Sequence, residues 1–119
     1  MKAGQARSCF AALSQENRLA IVRMLVKAGG DGMAAGAIAD KAGVSPSNLS
    51  FHVKELENAG LITQRREGRS IFYAADYQAL GDLIGFLMKD CCAGHPDICA
   101  PAISAASCKP AAKRSRAYA

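Results

Sequence analysis

The sequence predicts a mainly α-helical domain that carries one β-hairpin, and three observations predict it. Apolar residues recur at helical spacing in successive blocks from Leu19 to Met88. Two of those blocks are short and are separated only by Gly43 and Val44. β-branched and aromatic residues then gather on both sides of Glu67-Gly68. At 119 residues the chain is long enough for one domain with tails and too short for two. The expected layout is a tail over residues 1–8, a folded domain over 9–92, a cysteine-containing loop over 93–99 and a flexible tail over 100–119.

The elements follow in chain order. A short helix is expected around Arg7 to Leu13. Ser14 is placed to cap the next helix, with Glu16 in its first turn, Lys27 in its last, and Leu19, Val22, Leu25 and Val26 as its apolar stripe. Gly29-Gly30 ends it. Ile38, Ala39 and Ala42 share one face of a third helix that Gly43 terminates, and Val44 is expected as a buried turn residue. Ser45 then caps a helix with Pro46 at its first position, where a missing N–H costs nothing. Leu49, Val53 and Leu56 point that helix inward, and it ends near Asn58 to Gly60. Two short helices joined by a tight glycine turn make a helix-turn-helix. Ala39 is small enough for the second helix to cross closely, and Gly43 can adopt the positive φ that a side chain resists.

Leu61 to Arg66 and Ser70 to Ala74 read as a hairpin directly after the second of these helices, which is the position of a wing. Asp76 can cap a last helix in which Leu80, Leu83, Ile84, Leu87 and Met88 form a stripe, with Gly81 and Gly85 one turn apart. Part of that stripe covers the core. The rest suits a two-fold helical interface, so the fold expected is a winged helix-turn-helix whose last helix also faces a second copy of the chain.

The formal net charge of +5 favours a polyanionic partner. Lys109, Lys113, Arg114 and Arg116 put part of the excess in the solvated tail. The informative part sits elsewhere. In a helix-turn-helix the second helix enters the major groove of double-stranded operator DNA, so Ser47, Asn48, Phe51 and Lys54 are expected to reach base edges. Ser45, Ser50 and His52 are better placed for phosphates or for bracing the helix. Arg65, Arg66 and Arg69 flank the wing tip, within reach of backbone or minor groove. No apolar run approaches the roughly 20 residues that span a bilayer. The segment from Met1 to Cys9 lacks a secretory signal, which places the chain in the cytoplasm, where thiols stay reduced. No phosphate-cradling loop and no nucleophile with an obvious base are present, so no enzyme is expected.

Three runs, Ala12 to Leu25, Ser45 to Leu56, and Arg65-Arg66-Glu67-Gly68-Arg69, strongly resemble the ArsR/SmtB family of bacterial metal-responsive repressors over roughly Cys9 to Cys92. The resemblance implies a homodimeric winged helix-turn-helix repressor dimerising through its first and last helices, which leaves its operator when an inducer binds. Two known inducer patterns are missing. Gly36 to Ala42 contains no cysteine, and Tyr77 to Asp90 contains no histidine. The chain most resembles the arsenic-responsive branch that carries three cysteines just after the last helix, here Cys91, Cys92 and Cys99.

Soft thiolates select thiophilic ions, and three of them suit trivalent arsenic or antimony, As(III) or Sb(III), whose lone pair leaves the fourth direction empty. Neighbouring helical residues point about 100° apart, so Cys91 and Cys92 converge only where the helix frays, and Gly94 and Pro96 supply that break. The rival is zinc or cadmium on Cys91, Cys92, His95 and Cys99. A thiol redox or persulfide switch would use the same cysteines. Cys9 reads as a small buried residue and Cys108 as an exposed tail thiol.

Overall fold

The computed structural model describes residues 1–89. Its elements are α1 (Ala3–Leu13), α2 (Glu16–Ala28), β1 (Met33–Ala34), α3 (Ala35–Ala42), α4 (Pro46–Asn58), β2 (Ile62–Glu67), β3 (Ser70–Ala75) and α5 (Tyr77–Met88). The expected class holds: helices surround a small core, and β2 and β3 form the wing hairpin. Ile21, Leu25, Ile38, Leu56 and Leu61 are the largest fully buried side chains, one or more from α2, α3, α4 and the residue leading into β2. They close the helices over the base of the wing.

Four local features differ from the sequence reading. Residues 3–8, assigned to a tail, are the first turns of α1. Ala6, Cys9 and Ala12 recur every three residues and are buried, so the helix is held by packing although its caps are weak. Ser14 does not cap α2. It closes α1, donating its hydroxyl to the Ala11 carbonyl at 2.8 Å, while the Gln15 side chain accepts the Arg18 N–H at 2.8 Å and caps α2. The buried face of α2 is Ile21, Val22 and Leu25, which leaves Leu19 and Val26 of the expected stripe exposed. Finally, Met33 and Ala34 form a strand antiparallel to Tyr73 and Phe72, giving a sheet of order β1-β3-β2. Two residues carry no strand signal of their own, and their pairing is imposed by a partner about forty residues away.

Candidate nucleic-acid interface

The helix-turn-helix is built from residues that each solve a local problem. Gly43 sits at φ +69°, ψ +34°, and its N–H bonds back to the Asp40 carbonyl while the Val44 N–H reaches Ala39 at 3.1 Å. That pair of bonds satisfies the carbonyls orphaned at the end of α3 and turns the chain sharply. The Ser45 hydroxyl accepts the Asn48 N–H at 3.2 Å, Pro46 opens α4, and Leu49 and Val53 seal the angle between α3 and α4. Val44 is half-buried in that turn. At the far end Gly60, at φ +82°, lets the Leu61 N–H return to the Leu56 carbonyl at 3.0 Å, and the chain enters the wing.

The two faces of α4 are chemically opposite. Leu49, His52, Val53 and Leu56 are buried, whereas Ser45, Ser47, Asn48, Ser50, Phe51 and Lys54 are exposed. Phe51 is 59% exposed among serines, an amide and a lysine.

His52, expected either to meet a phosphate or to brace the helix, is turned inward. It is 8% exposed, the only buried polar side chain among the described residues, with its ring edge-on to Phe51 at 5.6 Å. Its Nδ1 lies 3.4 Å from Nη1 of Arg18, whose Nε donates to the Ala12 carbonyl at 2.7 Å. Arginine can only donate, so in this contact Nδ1 is the acceptor, a role that the neutral imidazole supplies. Burial, with the Arg18 charge adding to it, holds the His52 pKa below its usual value. Arg18 therefore bridges α1 to α4, a role sequence reasoning missed because a bridge between helices has no periodicity.

The wing arginines divide by what they touch. Arg65 is committed within the fold: Nε pairs with the Glu67 carboxylate at 2.6 Å, Nη1 donates to the Asp31 carbonyl at 3.0 Å, and the guanidinium lies 4.9 Å from the centre of the Phe72 ring. It fastens the wing to the loop before β1. Arg66 and Arg69 are exposed and meet no acidic partner among the described residues, and Gly68, at φ +61°, makes the tight turn beside Arg69. Among the described residues these two wing cations carry no such ties, whereas Arg65, although exposed, is engaged within the fold.

A second exposed surface is apolar. Phe10 on α1 is 41% exposed, and Ile84 and Leu87 on α5 are 53% and 57% exposed. Leu83, one turn from Leu87, is buried at 5%, so α5 divides its stripe between the core and the solvent. A Cβ added at Gly81 or Gly85 would meet nothing within 4 Å.

Cys9 is fully buried, its thiol facing the Ala59 carbonyl at 3.4 Å, and burial pushes its pKa up. It is a packing residue that joins α1 to the end of α4. Cys91, Cys92, His95, Cys99 and Cys108 lie outside the described residues. Among the described residues no three His, Cys, Asp or Glu side chains gather as metal ligands, and no helix is long and apolar enough to cross a membrane.

Comparison with known proteins adds the lineage. The family described as "Helix-turn-helix domain" matches residues 13–65. The nodulation protein NolR of Rhizobium meliloti is 36% identical over 78 residues, or 66% of this chain. The chain spans only about three fifths of the length of the first two curated relatives it matches, 62% for NolR. The transcriptional repressor SdpR of Bacillus subtilis is 33% identical over 89 residues, 75% of this chain and 96% of SdpR. Among solved structures, the homodimeric winged helix-turn-helix DNA-binding domain Mb0332 from Mycobacterium bovis, a possible ArsR-family transcriptional regulator, superposes with a TM-score of 0.58. It is 27% identical, covering 73% of this chain and 81% of that one. With its helix-turn-helix, its wing and similarity to a known repressor over 75% of its length, the chain belongs to the ArsR family of winged helix-turn-helix transcriptional regulators.

Proposed function

We propose that this protein is a cytoplasmic repressor that binds operator DNA as a homodimer and is released when trivalent arsenic or antimony binds Cys91, Cys92 and Cys99. The observation that carries the DNA reading is α4, whose inner face is sealed into the core while Ser47, Asn48, Phe51 and Lys54 stand exposed. A helix of this kind fits the major groove, where Asn48 can pair with an adenine edge and Phe51 can rest on a thymine methyl. Arg66 and Arg69 supply charge for the flanking backbone. The apolar surface of Phe10, Ile84 and Leu87 supports a two-fold partner of the same chain. Two reading helices then address half-sites one or two helical turns apart.

The inducer reading rests on the family resemblance and on the order of the chain. Cys91 follows the end of α5 by three residues. From α5 the fold offers a continuous route: α5 packs on α1, and α1 is joined to α4 through Cys9 to Ala59 and through the Arg18 bridge to His52. A change at the end of α5 can thus shift the reading helices, and a coupling of about 1 to 3 kcal/mol is enough for release.

The test is a band shift on the DNA upstream of the protein's own coding region, titrated with arsenite, zinc and peroxide. Arsenite is expected to release the DNA, and Cys91→Ser, Cys92→Ser and Cys99→Ser are each expected to abolish that release. Release of all three variants by arsenite would contradict the site. His95, between Cys92 and Cys99, favours a second reading with a divalent ion. Zinc binding displaces thiol protons and would strengthen steeply as pH rises, whereas arsenous acid condenses with thiols and releases water. Release by peroxide alone would identify a redox switch.

A further inference from the structure

A cleft of about 520 Å³ opens between α2, β1 and the end of α3. Its charged lining is Arg23 and Lys27 of α2 with Lys41 of α3, and its apolar lining includes Met24 and Met33. All three cations are exposed, and none meets a carboxylate among the described residues. Arg23 and Lys27 stand four positions apart on one helix, where like charges repel, and Lys41 brings a third positive charge to the same opening. Among the described residues no acidic side chain lines it. Uncompensated convergent cations call for an anion, while the half-buried methionines, which also pack against the core, offer thioethers that adapt to an apolar body. Its volume falls in the range of small-molecule sites.

We propose that this cleft binds a small amphipathic anion, a carboxylate or phosphate head held by Arg23, Lys27 and Lys41 with a short apolar body lying on Met24 and Met33. The apolar floor distinguishes it from a DNA-backbone contact, which needs charge alone. Among the described residues, none of those that line it belongs to the reading helix or the wing hairpin, so the site does not use the side chains proposed to read bases. An occupant would tie α2 to the last turn of α3, two residues before the Gly43 turn.

The four methionines make the test direct. The full chain carrying ¹³C-methyl methionine is titrated by NMR with octanoate, with octanol, with inorganic phosphate and with a short DNA duplex. Octanoate is expected to shift Met24 and Met33 saturably, with half-saturation below about 1 mM, and to leave Met1 and Met88 in place. Octanol and phosphate are each expected to bind about tenfold more weakly, since each offers half of the match. The double variant R23E/K41E, altered at exposed positions only, should keep its Met1 and Met88 signals and lose octanoate at least about tenfold. The proposal is overturned if octanoate moves all four methyls alike or none, if phosphate matches octanoate, if the double variant binds equally well, or if the duplex displaces octanoate.

Discussion

Gly32 gives the most exacting check on how the wing is anchored. It sits at φ +76° immediately before β1, and a Cβ built there falls 2.2 Å from the Tyr73 carbonyl oxygen and 2.8 Å from its carbon. Both atoms are backbone of β3, so no side chain can swing aside. Gly32→Ala must move β1 off β3, breaking the pairing of Met33 with Tyr73 and pulling the Asp31 carbonyl from Arg65. The positive φ costs a side chain about 1 kcal/mol, and the disturbed hydrogen bonds add about 1 kcal/mol each, for a total of about 3 kcal/mol. Gly43→Ala is the control, because Gly43 has φ +69° but nothing within 4 Å of the added Cβ. Only the conformational cost of about 1 kcal/mol applies there. Thermal melts followed by circular dichroism, at one protein concentration so that dimerisation does not confound them, should show Tm lowered by about 15 °C for Gly32→Ala and about 5 °C for Gly43→Ala. Equal shifts for the two, or a neutral Gly32→Ala, would refute the claim that the β1–β3 approach holds the wing.

Three further outcomes are expected. Ile84→Glu places a charge on the exposed α5 face twice in a symmetric dimer, so sedimentation should show dimerisation weakened about a hundredfold; an undisturbed dimer would move the interface elsewhere. Arg69→Ala should lower the salt dependence of DNA binding by about 1 per chain, while Arg65→Ala should lower Tm and leave that slope unchanged, since Arg65 is spent on Glu67, Asp31 and Phe72. Because the pKa of His52 is lowered by folding, the unfolded chain takes up its proton first as pH falls through the usual value of 6.5. Its contribution to stability is thus complete above that pH and is lost as pH drops toward the folded value. Urea midpoints should fall between pH 7.5 and 5.5, and His52→Gln, which cannot titrate, should fall less; identical slopes would remove His52 from the account.

The sequence displays its helix-turn-helix openly because each determinant there is local. Ser45 caps within three residues, Gly43 turns within three, and Leu49, Val53 and Leu56 need only the helical period. Asp76 likewise caps α5 as its position implies, accepting the Ala79 N–H at 3.0 Å. What stayed hidden depends on distant partners. β1 exists only because Tyr73 and Phe72 lie beside it, and Arg65 leaves the set of free wing cations only once the register sets it across from Phe72. His52 lies three residues after Leu49 and four before Leu56, which puts it beside the inner face, but nothing local in the sequence shows that its partner is Arg18. The apolar character of Leu19 and Val26 likewise implied burial, yet their side of α2 faces away from the core.

The most direct measurement is fluorescence anisotropy of a labelled duplex from the protein's own upstream region, compared with a scrambled duplex, for the native chain and for the double variant Asn48→Ala/Phe51→Ala. If the outer face of α4 reads bases, the variant loses about tenfold to a hundredfold on the upstream duplex, keeps its affinity for scrambled DNA, and the native chain binds as two copies per site. Unchanged affinity of the variant for the upstream duplex would show that sequence is read by another surface.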